Sequence, residues 1–157
     1  MSMETKHTFL FTGTFDPFTR GHENIVRRAV KMADELIIGI GINESKRCLY
    51  TPEERLEMIS SLFANEPKIS VRIYTGLTVD FAKEIGAQCI IRGLRCVKDF
   101  EYEESMAELN YRLSGIDTLL LFTDPQYNCI SSSMVRELIS YGKDVTPFLP
   151  EGMKLKL

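Results

Sequence analysis

Short hydrophobic segments recur along the chain, and segments of two different patterns alternate. Five runs are brief and rich in β-branched and large apolar residues, which is typical of buried strands. These predicted strands cover residues 8–12, 36–42, 69–74, 89–91 and 118–122.

Amphipathic helical patterns occupy the intervals between these strands. Residues 23–33 place five apolar side chains on one stripe of a helix. Thr51, Pro52 and Glu54 form a helix start, because a Thr cap is followed by Pro at the first position and by Glu three residues after the cap. Further helices are predicted over 79–85, about 99–113 and about 132–141, and the segment after residue 146 is predicted to form a turn and at most a short terminal helix.

Strands that alternate with helices predict a parallel sheet with right-handed crossovers. The fold class is therefore α/β, a doubly wound, Rossmann-like domain with a five-stranded parallel sheet. No internal repeat or linker divides the 157 residues, so one domain over 1–157 is expected. Such sheets bind ligands beyond the carboxyl ends of their strands, which directs attention to the loops that follow each strand.

Composition narrows the classes of function. A net charge of −3 argues against a nucleic-acid binder that relies on a broad cationic face. Four scattered cysteines without a C-x-x-C pair predict free thiols in a reducing compartment. The N-terminus lacks a signal-peptide pattern and no run approaches the roughly 18 apolar residues of a membrane span, so a cytoplasmic protein without membrane contact is expected.

The loop after the first strand combines groups that suit a phosphate. Gly13 and Gly21 leave room near the backbone, and the helix that follows presents unpaired N–H groups and a partial positive charge. Thr14 and His22 add a hydroxyl and an imidazole donor. The spacing alone equally allows a tight turn with a helix-start histidine of no chemical role.

The end of the fourth predicted strand carries two arginines around a glycine, Arg92, Gly93 and Arg95. Two guanidinium groups so placed would repel each other without an anion between them, and arginine grips phosphate through paired hydrogen bonds. The alternative is a pair of solvated surface arginines.

Two further loops and one acidic run complete the set of candidates. Ser131, Ser132 and Ser133 precede a helix; one serine is expected to cap it, and the others would form a second anion cradle. Lys46 adds a cation, or is simply a solvated loop lysine. The simplest explanation of the acidic residues at the start of the fourth predicted helix is its positive end, and a role in the site is the alternative: Asp99, Glu101, Glu103 and Glu104.

Four segments in this order, GTFDPFTRGH, IIRGLR, DFEYE and ISSSMVRE, resemble the bacterial phosphopantetheine adenylyltransferases of the nucleotidyltransferase superfamily. The resemblance runs from about Phe9 to Pro150. It implies that the phosphate of 4′-phosphopantetheine attacks the α-phosphorus of ATP with Mg²⁺ present, giving dephospho-coenzyme A and pyrophosphate without a covalent enzyme intermediate. It also implies a homohexamer with coenzyme A as feedback inhibitor.

The resemblance assigns roles residue by residue. The catalytic residues it implies are His22, Lys46 and Arg92. The acceptor-binding residues it implies are Thr14, Lys46, Leu77, Thr78 and Arg92. The ATP-binding residues it implies are Thr14, Phe15, His22, Gly93, Leu94, Arg95, Glu103, Tyr127, Asn128, Cys129, Ile130, Ser131, Ser132 and Ser133. Thr12, Thr78 and Tyr127 depart from residues frequent in the family, which affects the expected shape of the pockets and no catalytic group.

Physical chemistry agrees with this reaction, because a phosphate monoester is largely a dianion at neutral pH and needs no general base. Alignment of two anions and stabilisation of charge on the transferred phosphorus are what the reaction requires. Two alternatives stay open at this point. One is a related transferase acting on nicotinamide mononucleotide or a polyol phosphate, and the other is a non-catalytic sensor of nucleotide or coenzyme A.

Overall fold

The computed structural model describes residues 6–156 of the chain. Five parallel strands form one sheet in the order β3-β2-β1-β4-β5. The strands are β1 (Thr8–Gly13), β2 (Glu35–Gly41), β3 (Ile69–Tyr74), β4 (Cys89–Leu94) and β5 (Asp117–Phe122). The predicted doubly wound α/β fold with a five-stranded parallel sheet is confirmed.

Helices connect the strands in the predicted order. They are α1 (Arg20–Ala29), α2 (Pro52–Leu62), α3 (Thr78–Glu84), α4 (Val97–Ser114) and α5 (Ser132–Ser140), with short 3₁₀ helices at Val30–Met32, Pro125–Tyr127 and Thr146–Phe148. The helix α1 begins earlier than the predicted residue 23, because Thr19 caps it. Its predicted last turn is the 3₁₀ helix that follows.

The strand β4 is longer than the predicted 89–91 and ends at Leu94. Arg92, Gly93 and Leu94 pair with Leu120, Leu121 and Phe122 of β5, so the ladder continues through the polar and glycine positions. A single sequence shows no such pairing partner. Arg92 and Gly93 therefore lie on a strand and not, as predicted, in the loop after it.

The core lies on both faces of the sheet. Adjacent residues of a strand point to opposite faces, so Phe11 packs in the cluster that includes α1 while Leu10 packs in the cluster that includes α3. The strand order reverses between β1 and β4, since consecutive crossovers from β1 run first to one side and later to the other. A crevice is expected at the carboxyl ends of these two strands.

Two further observations concern the described part of the chain. None of its helices is both long and apolar enough to cross a membrane. Cys48, Cys89, Cys96 and Cys129 all carry free thiols.

Candidate active site

A cleft of about 320 Å³ opens at the carboxyl ends of β1 and β4, where the strand order reverses. It brings together most of the side chains that the sequence singled out. The predicted site residues that line it are Thr14, Phe15, His22, Arg92, Gly93, Arg95, Glu103, Ile130, Ser131, Ser132 and Ser133. The N-termini of α1 and α5 both face this cleft.

His22 is held in the first turn of α1 by a reciprocal capping box. The backbone N–H of Thr19 donates to Nδ1 of His22 at 3.0 Å, and the backbone N–H of His22 donates to the Thr19 hydroxyl oxygen at 3.5 Å. Because Nδ1 accepts a hydrogen bond, the ring proton of the neutral imidazole lies on Nε2. Within the described chain Nε2 has no hydrogen-bond partner, so its proton is available to a ligand in the cleft.

The surroundings of His22 keep the ring neutral. Burial, together with the positive charges of Arg92 and Arg95, lowers its pKa from 6.5 to about 3. The ring meets Phe15 edge-on with centroids 5.0 Å apart and lies 5.3 Å from Phe18. His22 is thus a hydrogen-bond donor and not a proton acceptor at neutral pH.

The loop between β1 and α1, residues 14–19, is called the first loop. Phe15 adopts a left-handed backbone with a φ of 52°, and its buried ring lies 5.3 Å from that of Phe11. A side chain at Gly13 would meet the Phe15 ring at 2.8 Å, so a glycine is required there by packing within the loop. Contact with the Phe15 ring thus gives a reason for the glycine that is separate from the predicted space for phosphate oxygens.

The hydroxyl groups of the three serines make different contacts. Ser131 caps α5 by accepting from the backbone N–H of Met134 at 3.1 Å, and Ser132 donates to the carbonyl of Pro17 at 2.7 Å. The hydroxyl of Ser133 accepts from Arg136 at 3.3 Å and keeps its own proton. Two helix-start N–H groups, those of Ser132 and Ser133, have no intrahelical acceptor, as the predicted anion cradle requires.

Arg92 is fixed in orientation by the carboxylate of Glu103 and by Thr12. Its Nε and Nη2 atoms donate to the two carboxylate oxygens of Glu103 at 2.9 and 2.6 Å, and Nη1 donates to the carbonyl of Thr12 at 2.5 Å. Glu103 is buried in α4. The two-point pair and the Thr12 bond therefore hold the guanidinium in one orientation at the cleft.

Arg95 has a carboxylate partner as well. Its Nε donates to Asp99 at 3.0 Å, and the pair holds the pKa of Asp99 below its usual range in spite of partial burial. Repulsion between the two arginines therefore does not itself call for a bound anion, because protein carboxylates already pair with both. Asp99 and Glu103, explained most simply by the positive end of the helix, each also pair with an arginine.

The model of the cytidylyltransferase-like family matches residues 10–138 of the chain. A phosphopantetheine adenylyltransferase of Phocaeicola vulgatus is 57% identical over 146 residues, which are 93% of this chain and 97% of that protein. One of Porphyromonas gingivalis is 55% identical over 96% of this chain and 98% of its own length. The chain belongs to the phosphopantetheine adenylyltransferase family.

A solved structure provides the comparison of folds. A bifunctional NMN adenylyltransferase/ADP ribose pyrophosphatase from Francisella tularensis, complexed with AMP and a manganese ion, aligns with a TM-score of 0.68 at 15% identity. The alignment covers 92% of this chain and 44% of that one, so the shared part is the sheet with its helices. The family resemblance that the motifs indicated is confirmed. The protein is therefore a nucleotidyltransferase, as predicted.

Several predicted site residues do not line the cleft of this transferase. Lys46 is exposed in the loop after β2, and Leu77 is exposed just before α3. Thr78 lines a smaller cavity of about 110 Å³ that also includes Thr12, Arg92 and Glu103. Leu94 is buried beside a separate apolar depression, and the side chains before Ile130 lie outside the lining of the cleft: Tyr127, Asn128 and Cys129.

Two charged residues of the cleft were missed by the sequence reasoning. Arg136 of α5 lines it and donates to the carbonyl of Asp16 at 2.7 Å. Asp16 is 2% exposed and accepts the backbone N–H groups of Leu49 and Tyr50 at 2.8 and 2.9 Å. Both residues stand inside motifs that carried the resemblance, GTFDPFTRGH and ISSSMVRE, so position within those motifs was the available signal.

The carboxylates of the cleft do not form a metal cage. Among the described residues no group of three or more His, Cys, Asp or Glu side chains is placed to hold a metal ion. Asp16 accepts two N–H groups, Asp99 pairs with Arg95, and Glu103 pairs with Arg92. The donor set of the protein therefore does not fit a dedicated cation site.

Proposed function

We propose that this enzyme transfers AMP from ATP to 4′-phosphopantetheine, forming dephospho-coenzyme A and pyrophosphate in coenzyme A biosynthesis. Relatives named for this activity, one of them 57% identical over 93% of the chain, support the choice of acceptor. The observation that carries the proposal is the cleft itself. It combines two helix N-termini, a neutral imidazole donor and an arginine of fixed orientation.

The proposed reaction is an in-line displacement at the α-phosphorus. A phosphate oxygen of the acceptor forms the new P–O bond, the bond from the α-phosphorus to the bridging oxygen breaks, and pyrophosphate leaves with the electron pair. The acceptor is already largely a dianion at neutral pH, so no general base is needed. His22 suits this chemistry, since a neutral donor stabilises developing charge without removing a proton.

ATP is proposed to place its phosphates between the N-termini of α1 and α5. The free N–H groups of Arg20 and Gly21 face the cleft from one side, and those of Ser132 and Ser133 face it from the other. Together with Thr14, Ser133 and the Nε2 proton of His22, these donors would surround the triphosphate. The adenosine end would lie toward Gly93, Arg95 and the 127–130 segment, as the family resemblance implies.

The acceptor is proposed to approach from the side of α3 and α4. The smaller cavity shares Thr12, Arg92 and Glu103 with the cleft, so a chain occupying it would deliver its phosphate to Arg92. Leu77 and Thr78 stand along that approach. Lys46 has no ion-pair or hydrogen-bond partner for its side chain in the described chain and would supply the second cation.

Magnesium is proposed to enter as the counterion of ATP. Mg²⁺ commonly keeps several waters and binds through substrate phosphates with few protein carboxylates. The engaged carboxylates of this cleft agree with such an arrangement, and no protein ligand for the ion is assigned.

The acceptor can be identified by incubating the purified enzyme with ATP and one of three candidates. These are 4′-phosphopantetheine, nicotinamide mononucleotide and glycerol 3-phosphate. Mass spectrometry of the products should find dephospho-coenzyme A with the first acceptor and no adenylylated product with the others. A K46A variant should raise the KM for phosphopantetheine and leave that for ATP nearly unchanged. Turnover with nicotinamide mononucleotide alone would overturn the proposal, and ATP binding without any product would favour a sensor.

The remaining expectations concern assembly, regulation and place. We propose a cytoplasmic homohexamer inhibited by coenzyme A, which shares the pantetheine arm of the substrate. Exposed apolar side chains on β5 and α4 support self-association: Leu109, Tyr111, Leu113, Leu119 and Phe122. Light scattering would measure the assembly, cell fractionation would locate the protein, and inhibition competitive with phosphopantetheine would identify coenzyme A as a ligand of the same site.

A further inference from the structure

The carbonyl groups of the first loop and its flank accept hydrogen bonds from three surrounding elements. Arg92 of β4 donates to Thr12, and Arg55 of α2 donates to Thr14 at 2.6 Å. Arg136 of α5 donates to Asp16 and Ser132 to Pro17. The first loop is therefore hydrogen-bonded to α2 and α5, and the end of β1 that precedes it is hydrogen-bonded to β4.

The segment 43–50, called the Lys46 loop, is anchored at both ends. At its start, the side-chain oxygen of Asn43 accepts the backbone N–H of Ser45 at 3.0 Å, and the carbonyl of Asn43 accepts the N–H of Lys46 at 3.0 Å. At its end, the carboxylate of Asp16 accepts the N–H groups of Leu49 and Tyr50. Only the second anchor joins this loop to the first loop.

A second tie runs in parallel with the Asp16 carboxylate. Arg55 is 2% exposed and is one turn into α2, directly after the Lys46 loop. Its guanidinium donates to the carbonyl of Thr51 at 3.3 Å and to that of Thr14 in the first loop. The Asp16 carboxylate thus ties the end of the Lys46 loop to the first loop, and Arg55 ties the start of α2, directly after that end, to the same first loop.

Asp16 and Arg55 are together called the brace. Burying their two charged side chains costs free energy, and α2 does not need these contacts to form. Thr51, Pro52 and Glu54 already cap α2 through local contacts, with Glu54 accepting the Thr51 N–H at 2.8 Å. A buried carboxylate or guanidinium is tolerated only when its hydrogen bonds are satisfied. What Asp16 and Arg55 add is a fixed position for residues 49–51, where the Lys46 loop ends and α2 begins, against the first loop.

We propose that Asp16 and Arg55 are positioning residues, which hold the Lys46 loop where Lys46 reaches the acceptor phosphate beside the triphosphate. The inference rests on the proposed function, in which Lys46 binds that phosphate. Lys46 has a long flexible side chain and no protein partner in the described chain, so its reach is set by where its loop lies. The backbone N–H donors at the starts of α1 and α5 are not bonded to Asp16 or Arg55 in the described chain, although the Asp16 carboxylate also lies 3.9 Å from Arg136 of α5.

The first test measures the brace without turnover. Amide hydrogen exchange, read by NMR, should show slow exchange at Leu49 and Tyr50 in the wild-type enzyme. Asp16→Asn leaves only one carboxamide oxygen to accept, so at least one of the two amides should exchange faster. Equal exchange of both amides in the two proteins would overturn the brace, whatever the enzyme catalyses.

The second test is a double-mutant cycle on KM. Asp16→Asn should raise the KM for phosphopantetheine by about tenfold and that for ATP by less than about threefold. In a Lys46→Ala background the same substitution should change the acceptor KM by less than about twofold, because its effect passes through Lys46. The same KM rise in both backgrounds, or an equal rise for both substrates, would overturn the proposal.

Two controls keep the result interpretable. Gln88→Ala removes a brace at the opposite end of the sheet, where Gln88 accepts the backbone N–H of Thr8 at 2.7 Å, and should leave both KM values unchanged. If Asp16→Asn does not fold, Arg55→Lys carries the same cycle, since lysine reaches one carbonyl only. Absence of turnover in the wild type would count against the proposed function, while the exchange measurement judges the brace separately.

Discussion

The backbone N–H of Thr19 donates a hydrogen bond to Nδ1 of His22 at 3.0 Å. This contact assigns the remaining ring proton to Nε2, the nitrogen without a partner in the described chain. One local capping interaction thus determines which way the imidazole can act. The ring can therefore donate from Nε2, and burial together with the neighbouring arginines lowers its pKa and keeps it neutral.

Substitution of His22 by Asn and by Gln separates the cap from the chemistry. The Asn oxygen stands near the place of Nδ1 and retains the cap, while the Gln amide nitrogen stands near the place of Nε2 and retains a donor. We expect His22→Asn to lower kcat by about 10²–10³-fold, the loss typical of one oxyanion-type donor, and His22→Gln to recover part of it. Steady-state kinetics with melting curves checks this, and equal kcat for wild type and His22→Asn would leave His22 a structural residue only.

The pH dependence of stability follows from the same residue. The pKa of His22 is about 3 in the folded protein, below its ordinary 6.5, so the unfolded chain binds more protons between these values. The stabilisation is fully present above about pH 6.5 and is lost as the pH falls toward 3. Melting temperatures at pH 7.5 and 5 should fall more steeply for the wild type than for His22→Asn; parallel curves would contradict the lowered pKa.

The pH dependence of turnover tests the same pKa by another route. An imidazole that stays neutral from pH 5 to 8 adds no limb to the profile of kcat/KM in that range. A limb near 6.5 that disappears in His22→Asn would show a titrating histidine and contradict this account.

The pair between Arg92 and Glu103 is expected to matter for both stability and acceptor binding. Glu103→Gln leaves the half-buried guanidinium without its charged partner, so we expect a destabilisation of about 1–3 kcal/mol and a raised KM for phosphopantetheine. Glu108→Gln on the same helix is the matched control, since its pair with Arg112 is exposed on both sides. Denaturant titration and kinetics should leave the control unchanged; equal effects of the two substitutions would show that burial of the pair is unimportant.

The exposed apolar side chains of β5 and α4 give a prediction about assembly. Phe122 is 77% exposed, and its replacement by lysine should shift the proposed hexamer to smaller species because a charge would be desolvated in the contact. Tyr141→Lys, at an aromatic side chain 72% exposed beyond α5, serves as the control. Light scattering reads out both variants, and an unchanged mass for Phe122→Lys would place the contact elsewhere.

Much of the fold could be predicted because its signals are local. Alternation of apolar runs with helical stripes, the Thr51 cap and the glycines after α3, α4 and α5 are readable within a few residues of each element. The predicted ends of elements were wrong where a residue distant in sequence determines them. β4 continues through Arg92 and Gly93 because β5 pairs with it there, and no local pattern contains that information.

The site divides in the same way. The sequence by itself determined the family, the loops that carry the site and most residues that line the cleft, since the order of parallel strands brings those loops to one edge. Only the tertiary structure decided the partner of each charge. Glu103 is eleven positions from Arg92, and Asp16 meets Leu49 across thirty-three, so pairing depends on how helices pack on the sheet. Short-range patterns specify elements and motifs, while long-range packing specifies which groups are engaged and which stay free for a substrate.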